Sequence, residues 1–438
     1  MMRTFKMVML TALLLGLCIG TLFAGGFALS GVGSRATAMG GAFRGLADDP
    51  SAMFWNPAGM AFMDETSISL GGTFIMPSAE WENNGPYFTA VPGYENKIYE
   101  AESSLRSFPN FFATFAKGPK MKYGIGLFVP YGLGTTWDAY QQPAMFAGFT
   151  DFPKEEMLSS IAILDLHPTI AYQIMPKLSF GAGLSIYYGM IDLAKVQFSS
   201  PDTGFLPTTS DMSGTGIGYG ANAGLMYKPT QCLSIGVAGK ILSNIKMEGE
   251  IEVATWIPPS TKVGGKSDIE TTLKLPGEIG VGVSYMITPK WRMNLDYAYT
   301  MWERLDKVVV ELDDPITVHP NPLVPQLSRS EIVFDWEDTY RVSLGTEFML
   351  GSNAWRLGVY MDETPIPAET QTATLSDIGT KISSNIGWGR SFGKFVLDAN
   401  FQYVMFEERE VETQTATNMA GVYNANSISG NIGLSYKF

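Results

Sequence analysis

Two histidines, His167 and His319, supply all the imidazole in this chain of 438 residues. His167 sits in an alternating stretch, "LHPTIAYQI", and His319 in a polar one. Neither has the Ser/His/Asp arrangement of a nucleophilic hydrolase or the ligand spacing of a metal site around it. Once the leader is removed Cys232 is the single cysteine, so neither a disulfide nor a redox pair can form. The glycines of "GTGIGYG" lie inside an alternating segment, where a phosphate-cradling loop is a poor reading. No catalytic residue, metal or cofactor is therefore expected, and the chain is read as a non-enzyme. What remains is ionic chemistry. Lys240, Arg292, Arg341, Arg356 and Lys381 share the parity of strand positions that face inward. Of these, Arg292, Arg341 and Lys240 are candidates to hold a carboxylate ligand by charge-assisted hydrogen bonds. The competing role, given the larger share, is pairing with Asp296, Glu347 and Asp398 to hold the structure together.

The elements that must position these residues are strands. In "KWRMNLDYAYT", Trp291, Met293, Leu295, Tyr297 and Tyr299 share one face, and Arg292, Asn294, Asp296 and Thr300 the other. "DTYRVSLGTEF" and the final stretch through Phe438 repeat the pattern. Short turns recur at 117–120, 175–177, 229–231, 288–290, 351–354 and 392–394, with much longer polar segments between them. That asymmetry describes an outer-membrane barrel. Strands are expected at 65–77, 106–117, 121–130, 161–174, 178–198, 214–229, 231–250, 269–287, 290–312, 332–350, 354–363, 377–391, 395–413 and 425–438, an even fourteen. Tyr172, Phe180, Tyr227, Tyr285, Trp291, Phe348, Trp355 and Trp388 flank the short turns on the apolar faces, as an interfacial girdle requires. Pro168 cannot donate to a ladder, and a bulge is expected there.

Residues 1–24 read as a secretory leader, with Arg3 and Lys6 ahead of an apolar run that ends at Ala24. A net charge of −13 argues against nucleic acid, which needs clustered Lys and Arg. The acidic stretches "WEDT" and "FEEREVET" are read as solvated outer loops. Residues 25–64, rich in Gly and Ala, have neither period and precede the first strand. A cylinder of fourteen strands is too wide to fill with its own side chains, so this segment could plug it. An ordered periplasmic extension is the alternative, and composition does not choose between them. Phe205 and Leu206 in loop 199–213, with Trp256 and Ile257 in loop 250–268, are apolar residues expected to be exposed for first capture of a hydrophobe, or packed loop on loop.

"GFALSGVGSRATAMGGAFRGLADDPSAMFWNPAGM" resembles the amino-terminal hatch of the FadL-type outer-membrane transporters of long-chain fatty acids and other hydrophobic compounds, down to Asn56, Pro57 and Ala58. "LFVPYGLGTTW", "LPGEIGVGVSY", "DYAYTMWERLD", "WEDTYRVSLGTEFML" and "DETPIPAETQTATLSDIGTK" resemble segments of that family in the same order. The resemblance implies an all-β fold, a transmembrane antiparallel β-barrel of fourteen strands over 65–438 with an N-terminal hatch in the lumen. It also implies a passive transporter of hydrophobic small molecules, with a kinked third strand that leaves a lateral gap. In that frame Gly124, Gly126, Pro130, Tyr131 and Gly132 are lateral-gap candidates, and Phe27 matches a hatch aromatic that touches ligand. The hatch motif is expected to pack beside 124–132. A fatty acid is the expected cargo, an aromatic or alkane hydrocarbon the alternative, and a structural or adhesive barrel the rival of another class. Outer-membrane lipid and the barrel assembly machinery, reached through Phe438, are the expected partners of a monomer.

Overall fold

The computed structural model describes residues 26–29, 31–83, 98–137, 157–198, 207–257, 260–375, 377–413, 415 and 417–438. Fourteen antiparallel strands close into one barrel. They are β1 (Ser67–Asn83), β2 (Arg106–Phe115), β3 (Met121–Trp137), β4 (Met157–Met175), β5 (Leu178–Phe198) and β6 (Pro207–Tyr227). Next come β7 (Leu233–Lys240 and Ser243–Ile257), β8 (Thr261–Leu275 and Gly277–Thr288), β9 (Trp291–Met301 and Lys307–Ile316) and β10 (Leu327–Val333 and Thr339–Leu350). The wall is completed by β11 (Asn353–Asp362), β12 (Lys381–Phe392), β13 (Phe395–Phe406 and Arg409–Val411) and β14 (Gly421–Lys437). A short strand, Ile98–Glu100, pairs with the far end of β1. Closure is the β1–β14 ladder, which runs without a register shift from Ser67↔Lys437 to Asn83↔Gly421.

The alternation that predicts the strands has its cause in the solvents on the two sides. In β4 the burial alternates residue by residue from Met157 to Tyr172. Leu166, Ile170 and Tyr172 are exposed on the outer face, where a bilayer takes the place of water. The girdle aromatics Tyr172, Phe180, Tyr227, Tyr285, Phe348 and Trp355 are exposed on that same face, close to the short turns. Several strands are longer than the roughly 9 to 11 residues that span a membrane. β5 and β6 each have 21 residues, so the wall continues beyond the hydrocarbon.

The structure departs from the sequence expectations at two places. Pro168 carries no bulge: it pairs with Ile125, and the register between β4 and β5 is the same at Leu166↔Ile186 and Thr169↔Gly183. The bulge lies across the β3–β4 ladder instead, between Phe128↔Asp165 and Tyr131↔Ile163, where β3 gains one residue at Val129–Pro130. The stretch 250–268 is largely a continuous hairpin rather than a long loop, since β7 reaches Ile257 and β8 starts at Thr261. Its Trp256 is 1% exposed, pointing inward with its Nε1–H donating to Thr209 Oγ1 at 3.0 Å. Its charged residues are strand residues that pair across the hairpin at the surface, Lys262 with Glu252 at 3.5 Å and Lys266 with Glu250 at 3.1 Å.

The described residues between 26 and 66 fill the lumen. They contain helix α1 (Ser34–Ala38), helix α2 (Ala52–Trp55) and a 3-10 turn (Pro57–Phe62), joined by irregular backbone. Pro57 opens the 3-10 turn, where its missing N–H costs nothing, and the extended Asn56 caps it by accepting from the Ala58 N–H at 3.1 Å. Val32, Ala36, Met39, Phe43, Met53 and Met60 form the core of this hatch, and Phe112, Phe128, Ala171 and Met226 of the wall close over it.

Candidate functional site

The hatch satisfies much of its backbone by short internal turns, and the backbone polar groups these turns leave over find partners in the wall. Asn56, fully buried, donates through Nδ2 to the carbonyls of Arg44 at 3.0 Å and Leu225 at 3.2 Å. Ser179 Oγ donates to the Ala58 carbonyl at 2.8 Å, Asn222 Nδ2 to the Met53 carbonyl at 2.7 Å, and Thr73 Oγ1 to the Gly31 carbonyl at 2.6 Å. The Asn56–Pro57–Ala58 turn thus lies against β5, β6 and β7. Gly124 faces the side chains of Met53 and of Met60, the latter in the same 3-10 turn as the motif. The polar partners of the turn in the wall stand on β5 and β6, Ser179 Oγ and the Leu225 carbonyl, and β3 meets the turn by packing at Gly124.

Glycine in the wall makes this approach possible. A β-carbon on Gly181 would fall 2.3 Å from the Pro57 carbonyl carbon, one on Gly236 2.0 Å from the Arg44 oxygen, and one on Gly358 2.1 Å from the Gly40 nitrogen. Each would require hatch backbone to move. Gly40 itself has φ 65°, a left-handed conformation that favours glycine.

Charge completes the attachment. Arg35 lies 2.9 Å from Glu347 and 2.5 Å from Asp48, and Arg44 pairs with Glu278 and, at 3.6 Å, with Asp296. Asp296 Oδ2 also accepts from the backbone N–H groups of Phe43 and Arg44 at 3.1 and 2.7 Å. Of the five basic residues singled out in the sequence, the three arginines fall into this belt, and Lys381 pairs instead with Asp377 at 3.1 Å. Arg292 is 3.2 Å from Asp48, Arg341 donates to the Gly40 carbonyl at 3.1 Å and lies 3.8 Å from Asp362, and Arg356 joins Glu347 to Asp398 at 2.7 and 2.6 Å. Lys240 has its Nζ 3.8 Å from the centre of the Phe54 ring. His167 is part of another buried wall network, 3.0 Å from Ser185 Oγ and 3.1 Å from Asn222 Oδ1. Both Ser185 and Asp165 approach the same ring nitrogen, Nδ1, which is not the arrangement of a triad.

The second feature is a seam in the wall. The β2–β3 ladder runs only from Phe115↔Tyr123 to Phe111↔Leu127. β2 nevertheless continues to Arg106 along β1, and β3 continues to Trp137 along β4. From residue 110 back to 106, and from 128 on to 137, the two strands share no pairing. Gly124 and Gly126 lie in the paired part; Pro130, Tyr131 and Gly132 lie on the unpaired edge.

The hatch covers part of that edge. The Leu29 N–H donates to the Pro130 carbonyl at 2.9 Å and the Gly132 N–H to the Phe27 carbonyl at 2.9 Å, so Ala28 forms an antiparallel bridge with Tyr131. This is strand addition, in which the hatch takes the hydrogen bonds that β2 leaves unmade. Phe27 is buried, edge-on to Tyr131 at 5.8 Å and to Trp302 at 4.9 Å, with Trp336 at 5.5 Å. Around them Ile161, Ile163, Ile191, Ile245 and Leu273 make an apolar lumen wall. Towards the far end of the long strands a second apolar group, Trp81, Tyr99, Trp137, Trp256 and Tyr423, spans the lumen. Of the capture residues expected from the sequence, Trp256 belongs to this group, Ile257 ends β7, and Phe205 and Leu206 lie outside the described residues.

Known proteins share this architecture. A Pseudomonas aeruginosa FadL homologue superposes with a TM-score of 0.78 at 16% identity, covering 94% of this chain and 100% of the other. The Ralstonia pickettii toluene transporter TbuX does so with a TM-score of 0.68 at 17% identity, over 94% and 99%. Among curated relatives, the long-chain fatty acid transport protein of Salmonella typhi is 22% identical over 384 residues, 80% of this chain and 79% of that one. Outer membrane protein P1 of Haemophilus influenzae is 23% identical over 491 aligned positions, 99% and 100% of the two chains. The profile of the outer membrane protein transport protein family (OMPP1/FadL/TodX) matches residues 17–438. The chain belongs to that family, and is an outer-membrane transporter of hydrophobic compounds.

Proposed function

We propose that this protein moves single-chain hydrophobic molecules, long-chain fatty acids foremost, from the outside into the outer membrane through the β2–β3 seam. Loops collect the molecule, the apolar lumen wall around Phe27 and Ile163 binds it, and the hatch residues 27–29 leave the β3 edge to let it pass sideways. The observation that carries this reading is the interrupted ladder, in which both strands run on while their pairing stops at Phe111↔Leu127. A greasy ligand gains about 0.8 kcal/mol per methylene by staying out of water, so a lateral door suits it better than an aqueous bore. The relative from Salmonella typhi is named for long-chain fatty acids, which supports that cargo. Toluene, named for the Ralstonia pickettii neighbour, represents the second reading, and the apolar lumen wall favours a neutral hydrocarbon equally.

The test is closure of the seam. A β-carbon at Gly132 would stand 3.3 Å from the Phe108 ring. The distance to the ring edge, with the length of the Phe108 side chain added, suits a short bis-thiol cross-linker between Phe108→Cys and Gly132→Cys in a Cys232→Ser background. Uptake of labelled palmitate and toluene by cells should be lost on linking with a disulfide-containing reagent and return with reductant. Normal uptake with the link quantitatively formed, at matched surface levels, sinks the lateral route.

A further inference from the structure

Behind the unpaired part of the seam lies a cavity of about 280 Å³. The charged side chains lining it are Arg106, Asp362, Asp377 and Lys381. Both acids are matched, Asp362 with Arg341 at 3.8 Å and Asp377 with Lys381 at 3.1 Å. Arg106 is not. Among the described residues it has no ion pair, and its Nε is buried without a hydrogen-bond partner.

Arg106 is the first residue of β2, paired with Ile75 of β1 on one side and facing the open seam on the other. Its guanidinium reaches across to β3. A β-carbon on Gly134 would lie 3.1 Å from Nε and 3.2 Å from Cζ, so the absence of a side chain at 134 is what gives the group its place. A guanidinium offers five donors in a planar fork that matches a carboxylate, and leaving such a donor dry and unpaired is unfavourable. Apolar surface adjoins it: Leu29, Ile75, Phe108 and Ile161 line the same cavity, and a smaller pocket continues past Phe108 to Pro109 and Val129 at the seam.

One kind of molecule matches both halves, an amphiphile with an anionic oxygen head and a single extended alkyl chain. We propose that Arg106 and the room over Gly134 form an anion-binding site at the lateral door, holding the carboxylate of a fatty acid while its chain lies along Phe108 toward the bilayer. The proposal rests on the lateral-exit reading and adds an acid-selective residue to it. The same head chemistry could arrive from the other side, as the phosphate of a membrane lipid entering through the seam.

Binding of palmitate and of hexadecanol to the full-length purified protein in neutral detergent separates these cases. Arg106→Gln should weaken palmitate by about tenfold, the scale of a lost charge-assisted hydrogen bond, and leave hexadecanol unchanged. Arg106→Lys should restore most of the difference, and Gly134→Ala, which crowds Nε, should reproduce part of the loss. Hexadecanol binding and heat-modifiable migration report that each variant is folded. Native mass spectrometry of protein taken directly from membranes shows the source: a phospholipid retained by the wild type and lost from Arg106→Gln assigns the head to the membrane, whereas palmitate selectivity without retained lipid assigns it to the cargo. An unchanged palmitate-to-hexadecanol ratio in Arg106→Gln, with no lipid lost, overturns the site. That outcome leaves the seam-closure result standing, and a failed seam closure leaves the binding ratio standing.

Discussion

Removing the Asn56 side chain should loosen the hatch while sparing the barrel. Asn56 is fully buried and satisfies three backbone groups at once, the carbonyls of Arg44 and Leu225 and the N–H of Ala58. Two of the three belong to the hatch and one to β6, so the amide is both a turn cap and a fastener. In Asn56→Ala each group loses its partner inside a packed space, at about 1–3 kcal/mol apiece. Water can follow into the vacated volume, so about 3 kcal/mol in all is a fair expectation, roughly a hundredfold in the opening equilibrium of the hatch. Asn56→Asp sharpens the test. It keeps the acceptor for Ala58 but replaces the donor by a carboxylate facing two carbonyls, and it should open the hatch more than alanine does. Hydrogen exchange followed by mass spectrometry reads the effect directly: peptides covering 42–62 should exchange faster in the order wild type, Ala, Asp, and the β1–β14 ladder should stay protected. Unchanged exchange in 42–62, or Asp milder than Ala, would refute the assignment of Asn56 as the fastener.

Gly358→Ala places a β-carbon on the Gly40 nitrogen and the Met39 carbonyl carbon. At about 1–3 kcal/mol of overpacking, it should make the hatch protease-sensitive in a barrel that still shows heat-modifiable migration. Burial raises the Asp377 carboxyl from 3.8 to about 6, against the pull of Lys381. The folded protein therefore holds an extra proton between about pH 4 and 6, and its stability should fall as pH rises through that window; in Asp377→Asn the midpoint temperature should lose that part of the slope.

How much of the structure is legible in the sequence depends on what each side chain answers to. The outer face answers to the bilayer alone, so Leu295, Tyr297 and Tyr299 announce it without help from any distant residue. The bulge answers to a tertiary partner. Pro168 and Pro130 both lack a donor, yet β4 keeps its register at the first and β3 breaks it at the second. The difference is that the Pro130 carbonyl is taken by Leu29, a hundred residues away in sequence, and no local pattern shows that. The inward basic residues were visible by parity, and their partners in the belt were visible in part, since Arg356 does join Glu347 to Asp398. The hatch side of the belt, Arg35, Arg44 and Asp48, has no period to reveal it. Arg106 did carry a signal: it shares parity with the lumen-facing Asn110, Phe112 and Thr114, at the start of an expected strand.

The glycines of the wall tie the hatch to the seam. An inward glycine in an ordinary strand weakens it by leaving a gap, and the same residue here is the surface on which the hatch backbone rests. Gly181, Gly236, Gly345 and Gly358 are spread over β5, β7, β10 and β11, so the hatch is held from much of the circumference of the barrel. Along β3 the arrangement changes. Gly124 meets the flexible ends of Met53 and Met60, and Gly132 meets Leu29 and Phe108, side chains that can rotate away. Backbone against backbone fixes a position, whereas a thioether or a leucine methyl beside a glycine can yield. Against β5, β7, β10 and β11 the hatch rests backbone on backbone, whereas on the β3 side it is held by these side chains and by the two hydrogen bonds at Pro130 and Gly132, so those two bonds are what a lateral opening has to break.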